Sequence, residues 1–156
     1  MTKTVKSWWV SDDEKFIAFS SDYEKFWRYS GLYNIQIFDI ASGESVFETS
    51  DKVQYFEFVS ANEFHNLTAV YIQHNSIRVL ENVANSGFND HEITYGGGEY
   101  IFNGRPDWVY EEEGVGSDNT VYFSDSGKVL AFVQFDTHDE KRMEIQTYSE
   151  LNHSRE

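Results

Sequence analysis

No cysteine occurs in the 156-residue chain, which excludes a disulfide framework, a thiol nucleophile and any cysteine-ligated metal site within it. Proline occurs once, and cations are scarce: 12 Lys and Arg stand against 27 Asp and Glu, for a formal net charge of −15. Phosphate backbones are gripped by clustered Lys and Arg, so nucleic acid is excluded as a partner. The same balance favours cationic ligands such as peptide amino termini or metal ions, although most acidic surfaces are simply solvated. No apolar run approaches the ~20 residues that span a bilayer, and Met1 to Val10 lacks the apolar stretch of a secretory signal. No H-E-x-x-H spacing links the histidines, and Asp136, His138, Asp139 and Glu140 lack calcium-loop spacing, so neither a metal nor another cofactor is expected. No G-x-S-x-G elbow is present, so the chain carries no nucleophilic serine of that kind.

Aromatic residues, by contrast, are abundant. At 17% of the chain they are too many for a disordered acidic tail, and the length suits one domain with a real core. Helical periodicity is almost absent. Short alternating or aromatic runs recur instead, at Val5–Val10, Phe16–Ser20, Asn34–Phe38, Val53–Phe58, Ala69–Ile72, Ile77–Leu80, Thr120–Phe123 and Val129–Phe135. Between them lie turns such as Asp12-Asp13-Glu14-Lys15, Ala41-Ser42-Gly43-Glu44 and Asp125-Ser126-Gly127-Lys128, whose residues suit tight hairpins. The reading is antiparallel sheet.

An internal repeat organises these strands. Trp9-Val10-Ser11-Asp12-Asp13-Glu14-Lys15-Phe16-Ile17-Ala18-Phe19 matches the stretch Tyr122 to Phe132 without a gap, and a weaker copy runs from Phe58 to Tyr71. The copies start about fifty and then about sixty-four residues apart, close to the ~40–50 residues of a propeller blade with an insertion in the second interval. Each copy is a strand, a hairpin and a second strand whose apolar face a neighbour must cover. The expected fold is all-β: a partial β-propeller of about three blades of antiparallel four-stranded sheets, at about 1–50, 51–95 and 117–156. The insertion, 96–116, carries three successive glycines and the proline. After Pro106, Asp107 is a candidate helix N-cap, which places Glu111, Glu112 and Glu113 in the first turns, where the helix dipole favours carboxylates.

The stretch Ile101-Phe102-Asn103-Gly104-Arg105-Pro106-Asp107-Trp108-Val109-Tyr110-Glu111-Glu112-Glu113 resembles the double-glutamate segment of the dipeptidyl peptidase IV family. The resemblance continues through Tyr122 to Phe135, which is similar to the family's W-S-P-[DN]-G turn and the A-Y-x-Q-F strand after it. Phe26-Trp27-Arg28-Tyr29-Ser30, followed by Tyr33 to Asp39, resembles the family's W-R-x-S segment and its strand. These blocks cover most of residues 8–150.

The resemblance implies an eight-bladed propeller capping an α/β-hydrolase domain. It further implies that Glu112 and Glu113 grip the free amino terminus of a peptide substrate while Arg28 holds a backbone carbonyl of the bound dipeptide. An ammonium between two carboxylates gains charge-assisted hydrogen bonds that a blocked peptide cannot make. With the amino end fixed, only the second peptide bond reaches the serine, so the carboxylates measure length and do not catalyse. Glu111 is read as facing solvent or supporting the helix, and Trp108 and Tyr110 as core or wall. A Glu-Glu-Glu run alone is a solvated patch, and Arg28 could equally be a surface ion pair or a cation over Trp27 or Tyr29. Context supports the clamp for the glutamates.

Two features depart from the family pattern. Gly114-Val115-Gly116 stands where an apolar pair is usual, which should loosen the helix end, and Asp12, Ala61 and Asp125 replace the proline of the turns.

The chain is therefore expected to be a substrate-gating propeller segment of a serine peptidase, inactive without the parent's catalytic domain. A non-catalytic accessory protein of the same family, and an unrelated acidic β-rich binding module, are the alternatives. By resemblance it belongs on the extracellular face of the plasma membrane or in the secretory pathway, and the sequons at Asn66 and Asn152 are candidate glycosylation sites. About three blades of a ring leave unpaired strands at both ends, so the isolated chain should aggregate or form a homodimer. Sedimentation velocity over a concentration series checks this; a strict monomer with sharp, cooperative unfolding would contradict it.

Overall fold

The computed structural model describes residues 4–59, 67–83, 87–124, 127 and 129–141. β1 (Val5–Val10), β2 (Phe16–Lys25), β3 (Gly31–Asp39) and β4 (Ser45–Glu48) form an antiparallel sheet in chain order. β5 (Tyr55–Phe58), β6 (Leu67–Gln73), β7 (Ser76–Val83) and β8 (Gly87–Glu92) form a second sheet in the same order. Two short ladders follow: β9 (Ile101–Asn103) pairs with β12 (Gln134–Asp136), and β10 (Val121–Phe123) with β11 (Leu130–Phe132). The architecture is all-β, with four-stranded antiparallel sheets as expected.

Where one strand was predicted over Val129–Phe135, the structure has β11 and β12, separated at Val133. The reason lies in the backbone. Val133 is claimed by the inserted segment and its flank, its carbonyl accepting from the Gly104 amide at 3.0 Å and its amide donating to the Thr120 carbonyl at 3.3 Å. The first contact continues the register of β12 with β9 and the second that of β11 with β10, so at Val133 the chain turns out of one pairing and into another.

The sheets stack by alternation of side chains. On β3, Tyr33, Ile35 and Ile37 are buried while Leu32, Asn34 and Gln36 are less so. The buried set packs with Phe16 and Ala18 of β2 against Phe56, Phe58, Ala69, Tyr71 and Leu80 of the second sheet. β6 is covered on both faces, because its alternate residues Val70 and Ile72 join Ile77, Val79 and Val121 in a second cluster toward β10. That double coverage explains why Ala69-Val70-Tyr71-Ile72 is continuously apolar instead of alternating.

The internal repeat has a matching geometry at its two ends. The Ser11 amide donates to the Phe16 carbonyl at 3.0 Å, and the Ser124 amide to the Val129 carbonyl at 2.9 Å. Each serine hydroxyl accepts from the second amide of its pair, Phe16 at 3.0 Å and Val129 at 3.1 Å. Glu14 and Gly127 occupy the same place in the two turns, and both have positive φ, 57° and 65°. The turn is therefore held by a serine hydroxyl where the expected motif uses proline rigidity. Ala61 and Asp125, the other two positions read as replaced prolines, lie outside the described residues.

Three tyrosines tie the core to pH. Burial raises the phenol of Tyr33, with the Asp118 charge adding to it. Burial raises Tyr71 as well, reinforced by its 2.7 Å hydrogen bond to Asp90 Oδ2, and burial with the neighbouring Glu57 raises Tyr55. A folded pKa above the ordinary 10.0 means stability that is whole below pH 10 and is lost as pH climbs above it. Urea midpoints should therefore hold steady to about pH 9.5 and fall beyond pH 10. Tyr33→Phe combined with Tyr71→Phe should flatten that fall, and an unchanged profile in the double variant would contradict it.

Candidate functional site

The site begins at the β2–β3 hairpin. β2 runs to Lys25 and β3 starts at Gly31, leaving a five-residue loop, Phe26 to Ser30, closed by the Phe26 amide donating to the Ser30 carbonyl at 3.1 Å. Gly31 is required by the close approach of Tyr23, whose ring would lie 2.3 Å from a side-chain carbon there. Lys25 Nζ donates to the Arg28 carbonyl at 2.6 Å. Arg28 thus sits at the tip of an ordered loop with its guanidinium exposed.

The glutamates sit on a turn that starts where expected. Asp107 Oδ1 accepts from the amides of Val109 and Tyr110 at 2.9 and 3.0 Å, the pattern of an N-cap. A π-helical turn, Tyr110–Val115, follows and ends at Gly116 in the left-handed conformation, its amide bonded to the Glu111 carbonyl. Gly114 leaves room for the Tyr110 ring, which would meet a side-chain carbon there at 2.9 Å. The two glycines expected to loosen this turn therefore have defined steric places in it. Of the two readings of Trp108 and Tyr110, core or wall, core is not realised: they are 62% and 53% exposed, and the Tyr110 ring packs at a tilt against Phe135.

Three consecutive helical residues fan around the axis, so the glutamates divide their roles. Glu111 turns inward and is fully buried. Its Oε1 accepts from the backbone amides of Tyr29 and Ser30 at 2.7 and 3.0 Å, so it supports the loop that carries Arg28. Glu111 therefore neither faces solvent nor supports its own helix, the two sequence readings, but holds the facing hairpin loop. Glu112 is half-buried and its Oε1 lies 3.5 Å from Arg28 Nη1, while Glu113 is exposed. The structure thus brings Arg28 and Glu112 together from segments far apart in sequence. Arg28 pairs with a carboxylate and not with a ring, as one sequence alternative allowed.

Sequence reasoning gave no role to Arg105, which is 2% exposed. Burial pulls its guanidinium down to about 10, against the Glu111 and Asp118 carboxylates that favour its charge. Lying below the ordinary 12.5, this group gains stability only as pH rises above about 10, opposite in sign to the three tyrosines. Burial likewise raises the Asp118 carboxyl, and Glu111 adds to that shift. Asn-Gly-Arg-Pro-Asp reads as a surface turn, so no sequence signal marked Arg105 as interior. A cleft of about 350 Å³ lies elsewhere, between β5 and β10, and its lining includes Phe58, Val59, Val121 and Phe123 but neither glutamate of the pair. Among the described residues no three metal-ligating side chains come together, and no helix is long and apolar enough to cross a membrane. Asn66 and Asn152 lie outside the described residues.

Stacked antiparallel four-stranded sheets with an inserted acidic turn define a segment of a β-propeller. Residues 11–156 match the family described as the dipeptidyl peptidase IV (DPP IV) N-terminal region, and the chain belongs to that family. It is similar to mouse (Mus musculus) prolyl endopeptidase FAP, 36% identical over 133 residues that cover 83% of this chain and 17% of that protein. It is also similar to dipeptidyl peptidase 4 of Trichophyton rubrum, 31% identical over 128 residues covering 82% of this chain and 16% of the relative. The chain thus spans about a sixth of the length of these relatives. The crystal structure of Porphyromonas gingivalis dipeptidyl peptidase 4 shares the fold, with a TM-score of 0.72 at 24% identity over 85% of this chain and 18% of that one.

The two loop amides have one acceptor between them, which makes a clear test. Glu111→Ala should destabilise the chain by about 1–3 kcal/mol, the cost of leaving a buried donor unmet, and Glu111→Gln should cost less because an acceptor oxygen remains. Denaturant unfolding of both variants measures this. Equal stability of the Ala variant and the parent would remove the supporting role.

Proposed function

We propose that this segment binds the free amino terminus of a peptide through Glu112 and Glu113, with Arg28 holding a carbonyl of the first two residues. The observation that carries the reading is the meeting of Arg28 and Glu112, 3.5 Å apart, on a loop and a turn joined by the buried Glu111 carboxylate. Both partners are substantially exposed, so their mutual attraction is weak, at most about 1 kcal/mol. A peptide ammonium can therefore displace Arg28 from Glu112 at little cost, and the released guanidinium, rich in donors and lacking acceptors, turns to the peptide carbonyl. Glu113, exposed beside it, supplies the second carboxylate.

In this role the segment gates substrate for a serine peptidase domain of the parent protein, releasing amino-terminal dipeptides. The carboxylates fix the peptide's end and leave bond cleavage to that domain. The names of the relatives, prolyl endopeptidase and dipeptidyl peptidase, support peptide as the ligand class. The same kinship supports an extracellular or secretory location for the parent.

Titration of the chain with the dipeptide Ala-Ala and with N-acetyl-Ala-Ala separates the reading from its rivals. Ala-Ala should bind at least tenfold more tightly, and its affinity should fall as pH rises through about 8, where an α-amino group loses its proton. Glu112→Gln with Glu113→Gln should abolish the preference. Equal affinity for the two peptides would overturn the proposal.

A further inference from the structure

Arg105 is an expensive residue in stability terms. Its side chain is almost wholly buried, and of its polar groups only Nη1 has a hydrogen bond among the described residues, to Asn75 Oδ1 at 3.2 Å. Nε and Nη2 have no hydrogen-bond partner there, and neither has the second oxygen of Glu111. Apolar side chains of similar volume commonly replace such buried charges with no loss of stability, or with a gain. Core packing therefore does not account for a guanidinium at this position.

Its contacts suggest what does. The guanidinium carbon lies 4.3 Å from the ring centre of Trp27 and 4.6 Å from that of Phe26, the two residues that open the loop carrying Arg28. It lies 5.8 Å from the ring centre of Phe102, on β9. Its Nη1 is tied to Asn75, at the tip of the β6–β7 hairpin, and Asn75 is itself fixed by Gln54 and by the Gly98 carbonyl. The Coulombic pull between Arg105 and Glu111 adds a link to the turn bearing Glu112 and Glu113. Among the described residues no strand ladder joins the loop of Arg28 to that turn. Arg105 stacks on the loop from an anchor in the second sheet, and it lies two residues before Asp107, whose carboxylate caps the turn.

We propose that Arg105 is a positioning residue: stacked on Phe26 and Trp27, anchored to Asn75 and two residues before Asp107, which caps the glutamate turn, it fixes the loop of Arg28 relative to the turn of Glu112 and Glu113. The flat plane of the guanidinium suits this task, because it stacks on rings while presenting donors at its edge. Glu111 adds a second tie between the same two segments, since its Oε1 accepts from the amides of Tyr29 and Ser30. The inference deepens the peptide-binding reading and rests on it for its functional consequence.

The test uses amide hydrogen exchange and peptide titration on the same chain. In Arg105→Met, exchange at Tyr29 and Ser30 should accelerate at least tenfold while the core amide of Ile35 changes little. Affinity for Ala-Ala should fall at least tenfold over the same comparison. Arg105→Lys, which keeps the charge and loses the plane, should recover part of both effects. A merely structural role would move Ile35 along with the loop amides, and that uniform change would overturn the proposal, as would a folded Met variant with loop exchange and affinity like the parent's. If the Met variant does not fold, the Lys variant decides, with about threefold local acceleration expected and none overturning the inference. Failure of the parent to distinguish Ala-Ala from N-acetyl-Ala-Ala would sink the binding reading alone, because the exchange pattern still reports whether Arg105 holds the loop.

Discussion

The site depends on one carboxylate that faces inward. Glu111 satisfies two backbone donors of a hairpin loop, one buried and one part-buried, and the loop's own closing bond, Phe26 to Ser30, uses other groups. The bond joins residues 82 positions apart. It therefore carries long-range information that no sheet ladder supplies, and it decides where Arg28 lies with respect to the two glutamates that follow Glu111. The role of an acidic triplet is split by helical geometry: one member gives up solvent to hold the frame, and the next two stay near the surface where a ligand can reach them.

Much of the frame was legible in the sequence, for a definite reason. β2, β3, β6 and β7 are central strands, so their apolar residues are demanded by neighbours on one face or both, and the pattern shows it. The strands that went unread, β4, β8 and β9, are peripheral. β4 and β8 are the outer strands of their sheets, with mostly exposed side chains, and β9 is three residues long. Such strands are specified by backbone pairing with a neighbour already in place, and pairing leaves little trace in side-chain type. The serine turns were legible as a repeat, but the hydroxyl that closes each one became apparent only from its distances.

The site divides in the same way. Arg28, Glu112 and Glu113 could be named because a run of matching residues surrounds each. Their support could not. Glu111 is indistinguishable in type from its two neighbours, and its inward direction follows from the phase of the turn set by Asp107. Arg105 sits between glycine and proline in what reads as a surface turn, and only the crossing of that turn over the Phe26 and Trp27 rings turns a polar position into an interior one.

An acidic chain with one arginine buried at this point has a further electrostatic consequence. Exposed carboxylates on the turn gain little from Arg28, whose charge is screened by water, whereas Arg105 acts through a low-dielectric interior where its field on Glu111 is much less attenuated. Positive charge is thus used twice and differently. The buried cation stacks on the rings of the loop and, in the role proposed above, holds the frame. The exposed cation neutralises an outward carboxylate only loosely and can yield to a stronger ligand. Under the proposed binding role, exchanging the two placements would leave a tightly self-paired surface on a poorly held frame, which is unfavourable to an incoming ammonium on both counts. The arrangement observed places a stacked, buried cation behind the loop and only a weak, exposed ion pair in front of it.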